Sequence, residues 1–197
     1  MANFISISRV KAKAGYTPTA ISKLKELSVE ATDAGAELVH IGTVQTGANA
    51  GSILALQFFE NMSDIEAVYD AFAVSDHYKG MFATDDMVLT GRALLKLHHR
   101  LGSPEESKYL VLTKFESETE MLDEAKAVLD LFMSNGGVAY GYGTFMAGSF
   151  VGQRLMGVRY PSMEAIQGAY EAVSGNADYQ SAVSKVKISF RNIVRLA

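Results

Sequence analysis

Residues 34–72 read AGAELVHIGTVQTGANAGSILALQFFENMSDIEAVYDAF, and residues 135–173 read NGGVAYGYGTFMAGSFVGQRLMGVRYPSMEAIQGAYEAV. Laid together without a gap, Gly35 falls on Gly136, Gly42 on Gly143, Gly47 on Gly148 and Gly51 on Gly152. Thr43 meets Thr144, Leu54 meets Leu155, Met62 meets Met163, Ile65 meets Ile166, Tyr69 meets Tyr170 and Ala71 meets Ala172. Glycines held in register mark backbone positions that a side chain would disturb, so their coincidence signals one structural unit used twice. Small shifts extend the match outward, placing Phe4–Val10 on Tyr109–Phe115 and Arg92–Leu97 on Arg191–Leu196.

Each half is then read once and checked on the other. Phe4–Val10 and Tyr109–Phe115 are short runs of β-forming residues and open their halves as strands. Thr17-Pro18 starts a helix, with a capping hydroxyl and proline in the first turn; Ile21, Leu24, Ala31 and Ala34 share a face, and Gly35 ends it. In the second half Ser117 and Glu120 have capping-box spacing, and Leu122, Ala125, Leu129 and Phe132 make the stripe. Strands follow near Glu37–Gln45 and Ser52–Phe59, and near Val138–Met146 and Gln153–Tyr160. A second helix starts at Ser63, with Glu66 as its capping partner. Its stripe Met62, Ile65, Tyr69 and Phe72 is mirrored by Met163, Ile166, Tyr170 and Val173. Met87–Leu97 and Val186–Leu196 close the halves, and His98–Ser107 reads as a polar linker. The expected organisation is a first repeat over 1–97, a linker over 98–108 and a second repeat over 109–197.

A β-α-β-β-α-β unit is the ferredoxin-like arrangement, whose helices cover one sheet face only. The other apolar face needs a partner, and a second copy on the same chain supplies it. The expected fold class is therefore α+β, with two such repeats packed sheet to sheet as a fused barrel able to enclose a cavity. The barrel forms within one chain, and a further homodimer would use the outer surfaces.

Composition narrows the function. The chain of 197 residues is 48% hydrophobic and 20% charged, with a formal charge of −4. It carries no basic stripe, so no nucleic acid is expected as a partner. No stretch has the uninterrupted apolar character of a secretory signal or a membrane span, so the expectation is a cytoplasmic protein without a membrane partner. Cysteine is absent, which removes disulfides and thiolate metal sites. With four scattered histidines as well, we expect purified protein to carry no cofactor, tightly bound transition metal or haem. Elemental analysis and a visible spectrum test this: stoichiometric metal or a Soret band would overturn it.

Ser75-Asp76-His77-Tyr78-Lys79-Gly80-Met81-Phe82 resembles the Ser-x-His-aromatic segment late in the second helix of antibiotic-biosynthesis-monooxygenase-like proteins. With the order of elements, it makes the whole chain similar in topology to the dimeric α/β-barrel superfamily in a tandem-fused form. The second half departs from the motif, since Asp178 stands where His77 does. The resemblance implies either a small-molecule binder or a cofactor-free oxygenase or isomerase. Such an enzyme would act on a small aromatic or enolisable ligand in an inter-sheet cavity. A non-catalytic barrel is the alternative. Haem-degrading members carry an asparagine, a tryptophan and a histidine around haem; this chain has no tryptophan, which leaves haem binding a minor alternative.

The candidate catalytic residue is His77, able to act as acid or base near neutral pH, with Asp76 and Tyr78 beside it. The competing reading is a helix-end surface histidine. His40 shares its strand face with Leu38, Gly42 and Val44, where packing competes with ligand binding. Tyr140 and Tyr142 share one face of their strand and either line a cavity with hydroxyls or belong to the core. Arg154 and Arg159 lie on opposite faces of one strand, so one of them faces away from the helices. Arg154, alongside Met156, Val158 and Tyr160, is the candidate to hold an anionic ligand; a surface ion pair is the competing reading. His98 and His99 are adjacent and expected to diverge in extended backbone. Gly141-x-Gly143 lies inside a strand with no helix after it, which points to close backbone packing and away from a phosphate loop.

Overall fold

Most strands of this sequence carry apolar residues on both faces, so each such face needs a cover. In the computed structural model the eight strands close into one antiparallel barrel with helices outside. The structure describes residues 2–103, 105 and 107–197; Met1, and Pro104 and Glu106 of the expected linker, lie outside the described residues. The first half runs β1 (Phe4–Ala12), α1 (Thr17–Asp33), β2 (Leu38–Val44), β3 (Ile53–Phe59), α2 (Met62–Val74), α3 (Asp76–Met81) and β4 (Met87–Gly102). The second runs β5 (Tyr109–Glu116), α4 (Leu122–Ser134), β6 (Ala139–Ala147), β7 (Arg154–Tyr160), α5 (Met163–Ser174), α6 (Ala177–Ser184) and β8 (Lys187–Leu196). The two repeats thus follow one order, each a ferredoxin-like βαββαβ unit with a short extra helix. Around the barrel the order is β1-β3-β2-β8-β5-β7-β6-β4.

Side chains sort into three cores. Val10, Leu24, Ile53, Phe59, Val68 and Phe72 fill the space between the first half-sheet and its helices. Val111, Leu129, Phe132, Tyr142, Val158 and Val173 do the same in the second. The alternate strand residues, among them Ile5, Leu56, Phe58, Leu95, Leu110, Leu112, Phe145 and Leu155, point inward and pack across the barrel. The two halves also repeat a polar detail. Arg92 lies 4.7 Å over the Tyr69 ring and donates to Ser8 Oγ (3.0 Å), while Arg191 lies 4.8 Å over Tyr170 and donates to Thr113 Oγ1 (3.2 Å).

The half-sheets join at two seams, β2 with β8 and β4 with β6. Gly42 and Gly143, equivalent in the repeat, stand one at each seam. A Cβ on Gly42 would stand 2.7 Å from Val194 Cγ1 and 2.8 Å from Arg195 O; one on Gly143 would collide with Lys96 O. These glycines let backbones approach, as the strand reading of Gly141-x-Gly143 expects for Gly143; at Gly141 a Cβ would meet Leu97 at an ordinary 3.6 Å. Gly143→Ala should therefore cost about 1–3 kcal/mol through forced separation of β4 from β6. Chemical denaturation reads this directly, and an unchanged midpoint would show that the seam gives way freely.

The structure corrects several local expectations. His98–Gly102 do not form a linker: they extend β4 and pair with β6, since the seam offers those backbone groups partners. A register shift between Leu97 and His99 then turns both histidines toward one ring, with centroids 5.9 and 6.2 Å from Tyr142. They do not diverge, because the bulge breaks the alternation that an ideal strand imposes. The cap of α2 is Asn61 with Asp64 in a capping box, two residues before the Ser63–Glu66 pair. Neither Thr17 nor Ser117 caps a helix: α1 follows Tyr16, and α4 follows Met121 at φ 51°, both without a side-chain cap. Met62 and Met163 are exposed at helix starts, outside the buried stripes.

Candidate functional site

An inward-facing strand position is normally apolar in this barrel, so inward polar groups need an explanation. At one end, β2 contributes His40, β4 contributes Arg100 and β7 contributes Arg159 to a chamber otherwise walled by Ile5, Leu56, Phe58, Leu97 and Leu110. The chamber has a volume of about 60 Å³. A second chamber of about 150 Å³ occupies the opposite end, and Ile7, Leu112 and Leu155 line both. Those three side chains are the partition between them.

The polar groups of the first chamber are poorly partnered. His40 Nε2 is buried and has no hydrogen-bond partner among the described residues, and the ring meets Phe58 edge-on at 5.6 Å. Burial, then Arg159 and Arg100, lower its pKa to about 3, so it is a neutral imidazole across the physiological range. Arg159 is 7% exposed and donates from Nη1 to Ser107 Oγ at 3.2 Å. Burial, then Arg100, lower it to about 10, leaving it a cation at neutral pH. Among the described residues no carboxylate lies within ion-pair distance of Arg159. Arg100 stacks 5.1 Å over Phe58 and pairs with Glu37 at 3.6 Å, which offsets one of the two guanidinium charges. One unbalanced positive charge faces an apolar chamber beside an imidazole nitrogen. His40 and Arg159 also border an outer depression with Lys25, Ser28, Glu105 and Ser107.

Of the candidate residues, His40 and Tyr140 border this chamber, although the Tyr140 ring packs into the helix-side core. His77 lies outside the barrel on α3, between carboxylates of α1: Nδ1 is 3.1 Å from Glu30 Oε1, and Nε2 is 3.6 Å from Glu26 Oε2. Ser75 Oγ caps α3 by accepting from Tyr78 N, so the motif segment forms its own short helix instead of the end of α2. Tyr78 stacks on Phe72 at 5.0 Å in the helix-side core, and Asp76 borders a shallow open hollow with His77. Tyr140 and Tyr142 face α4, not the inter-sheet space. Tyr140 donates to Asp130 Oδ1 (3.2 Å) and Tyr142 to Glu120 O (2.5 Å), and burial raises Tyr142 to about 12. Arg154 points to the same helix side and donates to Gly152 O and Thr119 O. The arginine facing away from the helices is Arg159. The grouping of His77 with the tyrosine-bearing strand therefore does not occur, because the first is on the outer layer of one half and the second under the helices of the other.

His77→Ala removes a part-exposed contact with Glu30 and Glu26 and should cost less than about 1 kcal/mol. Ligand binding inside the barrel should be unchanged. A thermal titration of the variant checks both, and lost binding would return His77 to the site.

Arg100 was hidden in the expected linker, and the alternation of Leu155, Gly157 and Arg159 was the available signal for Arg159. Among the described residues no group of three histidine, aspartate or glutamate side chains stands close enough to hold a metal ion, and no helix is long and apolar enough to cross a membrane.

A family model described as a domain of unknown function, DUF6854, matches residues 2–97 and 107–196. No curated protein matches the sequence. Among solved structures, a Fusobacterium nucleatum protein provisionally assigned as a monooxygenase superposes with a TM-score of 0.71 at 9% identity, over 99% of this chain and 91% of that one. An anthrone oxidase-like protein gives 0.57 at 14% identity, over 100% and 94% of the two chains. A haem-binding protein from Thermus thermophilus gives 0.61 at 12% identity, over 99% and 91%. At such identities the likeness establishes a shared fold, and chemistry has to be argued from the site.

Proposed function

The chain belongs to the DUF6854 family, and we propose that the His40 end of its barrel binds a small enolisable carboxylate and moves a proton on it. The observation that carries this reading is the buried, unpartnered Nε2 of His40 beside the cation of Arg159, which lacks a described carboxylate partner. An anion entering the chamber supplies the missing counter-charge. Arg159 and Arg100 hold its carboxylate by charge-assisted hydrogen bonds and stabilise the negative charge that grows on an enolate. His40 Nε2, in the tautomer that leaves it unprotonated, accepts the proton from carbon. Bound anion also offsets the two arginines that weaken this base, so its basicity rises when substrate is present. Of the reactions implied by the superfamily resemblance, isomerisation through an enolate suits these groups. The volume of about 60 Å³ sets the substrate to a small, compact acid.

The test is solvent-deuterium incorporation into acetoacetate and pyruvate, followed by proton NMR with wild type, His40→Gln and Arg159→Met. Wild type should exchange the α-hydrogens above the buffer rate. His40→Gln should bind but not exchange, and Arg159→Met should bind at least about 30-fold more weakly. No binding by wild type overturns the site; exchange that survives His40→Gln overturns the role of His40.

The family match in two segments and the repeated element order support a companion reading, that 1–97 and 109–197 are fused copies of one unit. The inward faces then satisfy each other within one chain, and any homodimer uses outer surfaces. Halves separated after Gly102 should aggregate or re-associate, because each would expose its inward face to water. Two halves that each stay soluble and monomeric would refute it.

A further inference from the structure

The second chamber lies at the end of the barrel closed by the β2–β3 and β6–β7 turns, which contribute Asn49, Ser149 and Phe150 to its wall. We propose that it is a separate binding site for a single-ring aromatic carboxylate, recognised by Arg9 and by Phe145, Phe150 and Phe190.

Size is the first argument. A cavity of roughly 150 Å³ accepts a benzene-sized ring, and this chamber has about 150 Å³. Leu54, Leu112 and Leu155 complete its apolar wall. Phe145 and Phe150 already meet edge to face at 5.6 Å, the geometry a third ring would extend.

Charge is the second argument. Arg9 lines the chamber and is held in place, donating from Nε to Thr90 Oγ1 (3.0 Å) and from Nη1 to Asn49 Oδ1 (2.9 Å). Its Nη2 makes no hydrogen bond to a described residue. Lys114, equivalent to Arg9 in the repeat and 6% exposed, sets its ammonium 3.5 Å over Phe150 and 5.4 Å from Phe190. Among the described residues no carboxylate pairs with either cation. Arg9 and Arg92 line the chamber, Lys114 stands against two of its rings, and no acidic group lines it, which favours an anion over a neutral ring. Arg9 reaches the ligand, whereas Lys114 acts on it through the potential it adds behind the two phenyl rings.

The site is distinct from the His40 chamber, because Ile7, Leu112 and Leu155 stand between them. Benzoate and the uncharged benzyl alcohol are the probes, titrated against the whole chain by calorimetry with amide chemical shifts to locate them. Benzoate should bind at least about tenfold more tightly than benzyl alcohol, the worth of one charge-assisted hydrogen bond. Amide shifts on wild type should gather at Asn49, Gly91 and Phe150, and not at Gly102 and Gly141. Arg9→Met should lower benzoate affinity by about tenfold or more while leaving benzyl alcohol nearly unchanged, and Lys114→Met should lower it less. Arg159→Met should bind benzoate as wild type does. Equal affinity for both probes, equal benzoate binding by wild type and Arg9→Met, or shifts at Gly102 and Gly141 would each overturn the proposal. So would an absence of benzoate binding. If Arg9→Met does not fold, the wild-type shift pattern and the two-probe comparison still decide. Failure here leaves the His40 reading standing, since acetoacetate exchange tests that chamber alone.

Discussion

Arg159→Met is expected to give a protein that is more stable and that holds a small carboxylate more weakly. The two effects share one cause. A guanidinium that is 7% exposed, with one side-chain hydrogen bond to Ser107 and Arg100 as a neighbour, is costly to bury. Methionine fills much of the same space without a charge to desolvate, and replacing buried ionic groups by apolar ones is often neutral or stabilising by about 1–4 kcal/mol. The expected gain is about 1–3 kcal/mol, or a melting temperature higher by about 2–10 °C for a chain of this size. The anion meanwhile loses its main partner, and truncating one side of a buried charge pair costs about 2 kcal/mol or more, about 30-fold in affinity. Denaturation and acetoacetate titration of the same variant read both. A variant that is destabilised would show Arg159 to be a structural group, and one that binds normally would show the chamber is not the site.

His40→Leu is expected to make the protein less sensitive to acid, with the effect growing as pH falls. The folded-state pKa is about 3, against 6.5 for a free histidine. Above pH 6.5 the ring is neutral in both states and contributes no pH dependence. Below it the unfolded chain takes up a proton that the folded chain refuses, so stability is lost progressively from about pH 6.5 down to about pH 3. At pH 5 the deficit from this residue is about 2 kcal/mol, and leucine removes it. The stability difference between His40→Leu and wild type should therefore be about 2 kcal/mol larger at pH 5 than at pH 7.5. Paired denaturation curves at the two pH values test it. A difference that does not change with pH would mean that His40 titrates normally in the folded protein.

Much of the architecture was legible in the residues. Gly42 and Gly143 coincide in the repeat because both seams need backbone without a side chain, and a requirement that repeats in space repeats in sequence. The helix stripes of Ile65–Phe72 and Ile166–Val173 were readable because α2 and α5 are polar on one side and packed on the other. The extent of β4 was not, because His98–Gly102 are polar and become strand only when β6 lies alongside to take their hydrogen bonds. The bulge that gathers His98 and His99 at Tyr142 belongs to the same pairing and has no local signal.

The sequence by itself determined the order of elements shared by the two halves, the period-two alternation of each strand, and the fact that Arg154 and Arg159 face opposite ways. It did not determine which way is inward. In a strand half in water, polarity marks the outer face; here one face meets helices and the other meets the opposite sheet, and both are dry. Ile53, Ala55 and Phe59 look no different from Leu54, Leu56 and Phe58. Only closure of the barrel decided that His40, Arg100 and Arg159 converge inside it while Tyr140, Tyr142 and Arg154 lie under the helices. That convergence joins three strands far apart in the chain, and it exists because β2 meets β8 and β4 meets β6 at the seams.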